Sequence, residues 1–194
     1  MRKLKLQMLM SIDGFVGGRD GNLDWVNLNW DGDLRQYLVQ NLDNVDCILI
    51  VMGRTTQMSF IPYYASVAEK PSDPFHEYGK KVTDTPKIVL SNTLTHSEWP
   101  LTKVINGDFI EETKKLKEQN GGDIIVYGGV MFASTLIKNH LVDEIHLLIN
   151  PVALGSGLPI FADIESKQEM DLVKSKAFDC GIVWIQYTPR KIQS

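Results

Sequence analysis

The stretch Asp123-Ile-Ile-Val-Tyr-Gly-Gly-Val-Met-Phe-Ala-Ser-Thr-Leu-Ile137 constrains the fold more tightly than any other part of the chain. Ile124 to Tyr127 are β-branched or aromatic, a run too short for a helix and suited to a buried strand. Gly128 and Gly129 follow at once. Then Phe132, Ala133, Leu136 and Ile137 recur at three- and four-residue spacing, the apolar stripe of a helix. Strand, glycine turn and helix thus run together with no polar linker. That junction puts the N–H groups of Gly129 to Met131 at a helix start, where an anion such as a pyrophosphate is received. Glycine lets the backbone come close to such a ligand. A plain tight turn between strand and helix uses the same residues. Neither the G-x-G-x-x-G fingerprint nor the G-x-x-x-x-G-K-[ST] loop is present, so the other segments must decide.

A second junction lies upstream. Val45 to Met52 reads as a strand, and Gly53-Arg-Thr-Thr56 opens a short helix to about Phe60. Arg54 carries a permanent charge on a planar fork that matches phosphate geometry, although an arginine on a solvated helix start is the plainer reading. Lys87 to Leu90 is a third strand, closed by the polar turn Ser91-Asn-Thr93. Around these lie a first strand, Leu4 to Met10, ended by Ser11-Ile-Asp-Gly14, and a long loop over residues 15–30 that carries Trp25 and Trp30. Asp31 or Asp33 caps a helix through Asn41, with Leu34, Tyr37, Leu38 and Leu42 as its stripe. Four prolines between Pro62 and Pro86 mark an irregular excursion with one short helix near 75–82. A strand at Lys103 to Ile105, a helix from about Phe109 to Gln119, and a strand from Leu141 to Asn150 follow. Segments 168–178 and 182–188 face each other across Asp179-Cys-Gly181 as a hairpin. The pattern predicts one α/β domain over residues 1–194, a mostly parallel mixed sheet flanked by helices with a C-terminal antiparallel hairpin.

Charge and composition narrow the function classes. A net charge of −4 with no large basic cluster argues against a nucleic-acid partner. No apolar run is long enough to span a bilayer. Cys47 and Cys180 are far apart, and Cys47 sits in a hydrophobic run, which reads as reduced core thiols in a cytoplasmic protein. His76, His96, His140 and His146 lack zinc spacing, so no metal is expected.

Ligands in α/β sheets bind at the carboxyl ends of parallel strands, and the motifs Gly53-Arg54-Thr55, Ser91-Asn92 and Gly128-Gly129 all stand at such ends. In this order and spacing they resemble the dihydrofolate reductase superfamily. The closer resemblance is to the reductase domain of the bifunctional riboflavin-biosynthesis deaminase-reductase and its stand-alone relatives. Shared with that branch are Ser11-x-Asp13-Gly14, Leu23-Asp-Trp25, Asp46 ahead of Gly53, Val89-Leu-Ser91, Asp123 to Gly129, Leu141-Val-Asp-Glu144, Pro151-Val-x-Leu-Gly-x-Gly157 and Leu158-x-x-Phe161.

The resemblance implies NADPH as hydride donor and pairing into a homodimer. It puts Gly53, Arg54 and Thr55 on phosphates, with Arg54 and Ser91 nearest the adenosine 2′-phosphate and Asn92 beside them. Gly128, Gly129, Val130, Met131 and Phe132 would receive the pyrophosphate, preceded by Tyr127, and Leu9, Val16 and Gly17 would line the nicotinamide. It further implies a cis bond between Gly128 and Gly129. Trp25 and Tyr37 are candidates for an aromatic wall against a heterocyclic substrate. Asp33 is the candidate catalytic acid, with helix capping as its plainer role.

Four departures matter. Folate reductases carry a carboxylate inside the first helix, and here the interior is Leu34-Arg-Gln-Tyr-Leu-Val-Gln-Asn41. Their late-strand threonine is replaced by Leu148. Riboflavin reductases place a glutamate where this chain has Tyr127. The zinc deaminase half is absent from the sequence. The expected activity is NADPH-dependent reduction of a small heterocycle, of the 5-amino-6-(5-phosphoribosylamino)uracil reductase type or a diverged relative. Dihydrofolate reduction and a non-catalytic nucleotide-binding dimer are the alternatives.

Overall fold

The computed structural model describes residues 1–51 and 54–190, with side chains described outside 52–59. In chain order the elements are β1 (Leu4–Ser11), α1 (Gly32–Asn41), β2 (Val45–Val51), α2 (Arg54–Ala68), α3 (His76–Asp84), β3 (Lys87–Leu90), β4 (Thr102–Ile105), α4 (Phe109–Glu118), β5 (Asp123–Gly128), α5 (Val130–Lys138), β6 (Glu144–Asn150), β7 (Met170–Ala177) and β8 (Val183–Pro189). They pack into two compact units, one of Met1–Lys3 with Gly32–Gly129, the other of Leu4–Asp31 with Val130–Ser194.

The first unit is a parallel sheet in the order β4-β3-β2-β5, flanked by α1 to α4. Parallel strands are covered on both faces, so they read as unbroken apolar runs. Accordingly Ile48, Leu49, Ile50, Val89, Ile124 and Ile125 have no exposed surface. Asp108 caps α4, accepting from the N–H groups of Ile110 and Glu111 at 2.9 Å each. Arg2 is buried and donates to Gly122 O at 2.8 Å and to Asp46, tying the chain start to the entry of β5.

In the second unit β1 pairs in parallel with β6, and β6 with β8 and β8 with β7 antiparallel, so the expected hairpin is present. α5 buries Phe132, Ala133, Leu136 and Ile137, the stripe read from sequence. Trp184, Leu4, Leu6 and Leu148 are fully enclosed. β6 begins at Glu144 and not at Leu141, because the Asp143 side chain accepts from the Leu4 N–H at 2.7 Å before the ladder starts.

The prolines mislead in one place. The sequence predicts a helix ending near Phe60 and an irregular excursion beyond Pro62, yet α2 runs through Pro62 to Ala68. An interior proline costs a helix about 3 kcal/mol. Burial of Ile61 and Val67 offsets this at about 1.5–3 kcal/mol per large side chain. The ring of Tyr64 adds edge contacts to Phe60 at 4.9 Å and Tyr78 at 5.4 Å. α3 crosses α2 at Gly79, where a Cβ would stand 2.8 Å from the Val67 side chain and 3.1 Å from the Tyr64 carbonyl. Only glycine admits that approach. Among the described residues no helix is long and apolar enough to cross a membrane.

Lys87 opens β3 and is buried, its Nζ donating to the carbonyls of Thr83 (2.8 Å) and Thr85 (2.7 Å) at the end of α3. Burial pulls its ammonium down to about 8, opposed by the Asp84 carboxylate. Between pH about 8 and 10.5 the native protein has released a proton that the unfolded chain still holds, so stability rises with pH across that window. Urea unfolding at stepped pH is expected to show this rise, and Lys87→Met is expected to flatten it.

Candidate functional site

Parallel pairing brings the carboxyl ends of β2, β3 and β5 to one edge of the first unit. Ile50 lies opposite both Val89 and Tyr127, and Val51 opposite Gly128. The sequence motifs at Ser91-Asn92 and Gly128-Gly129 therefore stand side by side with the start of α2. Gly53 lies outside the described residues. Arg54 and Thr55 are in the first turn of α2, and their side chains are likewise outside the description.

At the β5 end, the carbonyl of Val51 sits where a Cβ on Gly128 would come within 2.4 Å. The Gly129 N–H then donates to the same carbonyl at 3.2 Å. Gly129 itself is exposed, and nothing lies within 4 Å of where its Cβ would stand. One glycine is thus demanded by packing and its neighbour leaves an open backbone surface. The described residues contain no cis peptide bond, so the Gly128–Gly129 bond is trans, contrary to what the resemblance implied. The trans geometry carries the ladder on, from the Val51–Gly128 pair to the Gly129 N–H on Val51.

At the β3 end, Ser91 is buried and its Oγ accepts from the N–H groups of Thr93 (3.2 Å) and Leu94 (3.1 Å). The hydroxyl closes its own turn, with Thr93 Oγ1 3.3 Å away as a further hydrogen-bond partner. Asn106, directly after β4, donates from Nδ2 to the carbonyls of Ser91 and Leu94, while Asn92 Oδ1 accepts from the Gly107 N–H at 3.1 Å. The sequence reading assigns Asn106-Gly107 no role. Its role in bracing Ser91 depends on β3–β4 pairing, which no local pattern records.

The Tyr127 side chain turns away from solvent, its hydroxyl 2.6 Å from that of Tyr78. Burial pushes the Tyr127 phenol well above its ordinary range, so the hydroxyl stays neutral. In α1, Asp33 is exposed in the first turn and Tyr37 is half-buried.

In the second unit Leu9 is partly exposed on β1, opposite Leu148. Val16 and Gly17 are locked to Leu158 by two backbone bonds, Val16 N–H to Leu158 O and Leu158 N–H to Gly17 O, each 2.9 Å. The Trp25 indole donates to Asn22 O at 3.3 Å and is half-exposed. At the start of α5, Phe132 is buried and Met131 is 80% exposed. Asp31 accepts from the Cys180 N–H at 3.0 Å.

Asp13 holds this unit's loops in a way the sequence motif did not disclose. Its carboxylate accepts from Ser11 Oγ (2.6 Å), the Leu154 N–H (3.0 Å) and the Gly155 N–H (2.7 Å). The Ser11 hydrogen bond, with the two amides, holds the carboxyl below its ordinary 3.8. Among the described residues no group of three His, Cys, Asp or Glu side chains is arranged to hold a metal.

The sequence pattern of the RibD C-terminal domain matches residues 2–184. The chain belongs to the RibD C-terminal domain family. Within that family setting, it is 34% identical over 186 residues to the Bacillus subtilis (strain 168) protein YyaP, itself uncharacterized, covering 96% of this chain and 94% of that one. Two solved structures show the fold. One is the Thermotoga maritima diaminohydroxyphosphoribosylaminopyrimidine deaminase/5-amino-6-(5-phosphoribosylamino)uracil reductase, at 16% identity and TM-score 0.67, with 97% of this chain on 57% of that one. The other is Enterococcus faecalis dihydrofolate reductase complexed with NADP(H), at 15% identity and TM-score 0.60, with 97% of both chains covered. The RibD-type resemblance and the dihydrofolate reductase-like fold read from the sequence both hold.

Asp13→Asn is expected to lower the melting temperature at neutral pH. A carboxyl held low in the native state stabilises fully above its unfolded value and loses that contribution as pH falls below 3.8. Thermal scans from pH 6 to pH 3 should therefore bring wild type and Asp13→Asn together at the acid end.

Proposed function

We propose that this chain is an NADPH-dependent oxidoreductase that reduces a small heterocycle, of the 5-amino-6-(5-phosphoribosylamino)uracil reductase type or a diverged relative. The observation that carries this reading is the pair Gly128 and Gly129 at the carboxyl edge of the parallel strands. Gly128 is fixed against Val51, and Gly129, exposed, directly precedes α5 in the chain. A glycine turn running into a helix start gives a pyrophosphate room to approach the backbone. Membership of the RibD C-terminal domain family supports the reductase class, and a fold neighbour is complexed with NADP(H).

When bound, NADPH supplies a hydride to the substrate. The chain's part is binding and orientation. In this reading Gly53, Arg54 and Thr55 hold phosphate, and Arg54 with Ser91 and Asn92 discriminates the 2′-phosphate. Gly128 to Phe132 receive the pyrophosphate, and Leu9, Val16 and Gly17 line the nicotinamide. Tyr127 serves through its backbone, since its hydroxyl is engaged by Tyr78. Trp25 and Tyr37 are assigned to the substrate, with Asp33 as the acid. Strict folate reduction is disfavoured because the only carboxylate in α1 is Asp33 in its first turn. The reading includes a cytoplasmic homodimer.

The test is an NADPH titration followed by tryptophan emission, with NADH alongside. NADPH is expected to bind more tightly than NADH, and Arg54→Ala to weaken NADPH by about 10- to 100-fold, the worth of one charge-assisted hydrogen bond, with NADH unchanged. Gly129→Val is expected to fold normally and lose affinity. Gly128→Ala is expected to cost stability on the order of 1–3 kcal/mol from overpacking against Val51. Absence of binding by either nucleotide overturns the reading.

A further inference from the structure

Gly128 and Gly129 have no side chains through which the rest of the unit can hold them. The last side chain before the turn is Tyr127, and it is clamped. Its hydroxyl and that of Tyr78 stand 2.6 Å apart, with the two residues 8% and 4% exposed. Phe60 lies 5.3 Å from the Tyr127 ring, Tyr64 lies 5.4 Å from the Tyr78 ring, and Phe60 and Tyr64 meet at 4.9 Å. Four aromatic rings from α2, α3 and β5 thus enclose one hydroxyl pair.

Two features make the pair a lever on the turn and not only an internal bond. The first is that both phenols are buried, so breaking the bond strands a desolvated hydroxyl and the ring moves to relieve it. The second lies one residue on, where the Gly128 backbone abuts the Val51 carbonyl of the paired strand with no space for a Cβ. A shift of Tyr127 has no slack to absorb it there. It passes along the chain to Gly129, whose surroundings are open.

We propose that Tyr78 is a positioning residue for the Gly128–Gly129 turn, acting through Tyr127, so that α3 sets how the turn amides are presented to an anionic ligand. The ligand's identity as a dinucleotide rests on the reading in the preceding section; the positioning itself does not.

Tyr78→Phe, Tyr127→Phe and the double variant separate the two in the full chain. The first readout is amide exchange in the protein without nucleotide. The Gly129 N–H is expected to exchange about tenfold faster in Tyr78→Phe, while the amides of Ile48 to Ile50 keep their protection. The second readout is NADPH affinity well below the melting temperature. Each single variant is expected to weaken it by about 3- to 10-fold, and the double variant no further, because both substitutions delete one bond. A purely structural bond would lower the melting point and leave both readouts in place. Unchanged Gly129 exchange in folded Tyr78→Phe overturns the positioning role, as does a rise shared equally by the strand amides. If Gly129 exchange responds but the wild type binds no NADPH, the positioning stands and the reductase reading falls. If the wild type binds NADPH and Tyr78→Phe matches it in both readouts, the reading stands and the positioning falls. Should Tyr127→Phe not fold, the two readouts on Tyr78→Phe decide alone.

Discussion

Everything at the carboxyl edge of the first unit depends on one close approach, that of the Val51 carbonyl to Gly128. The carbonyl occupies the space a side chain would need, and it also accepts from Gly129. A single oxygen therefore fixes residue type at one position and backbone path at the next. Parallel pairing then sets the rest of the edge by register, since Val51 cannot face Gly128 unless Ile50 faces Tyr127. The ends of β2, β3 and β5 are aligned by hydrogen-bond geometry before any ligand is considered.

The same edge is supported from below by aromatic packing. α2 continues past Pro62 because Ile61, Tyr64 and Val67 gain more from burial than the helix loses at proline. α3 lies close enough for Tyr78 to reach Tyr127 because Gly79 lets its backbone meet that of α2. The glutamate expected at position 127 in a riboflavin reductase is replaced by a phenol that faces inward and has a neutral partner. In this chain the position belongs to the packing of the turn.

Much of this was legible in the sequence because it depends on short-range periodicity. The β-branched run before Gly128 and the stripe of α5 are each written within a dozen residues, and the terminal hairpin joins two adjacent segments. Contacts across long separations were not. Tyr78 and Tyr127 are 49 positions apart, and nothing local distinguishes either from an ordinary core tyrosine. Asp13 was visible as part of a motif, but its bonds to Leu154 and Gly155 span 141 and 142 positions. Pro62 misled because propensity is a weak prior against tertiary burial. The trans Gly128–Gly129 bond differs from expectation for a related reason, since the ladder to Val51 is a property of the assembled strands.

The two units also differ in how the chain supplies them. The first is drawn almost wholly from the continuous span Gly32–Gly129, whereas the second joins Leu4–Asp31 to Val130–Ser194. During synthesis β1 emerges early, yet its bond from Leu4 to Asp143 spans 139 residues. At ribosomal rates that interval is on the order of ten seconds. Through it β1 has an apolar sequence and an unfilled β6 side, while β2, β3 and β4 follow one another within residues 45–105. The β1 edge that β6 will cover therefore stays without its strand partner for most of synthesis, a stage that measurements on the finished protein do not report.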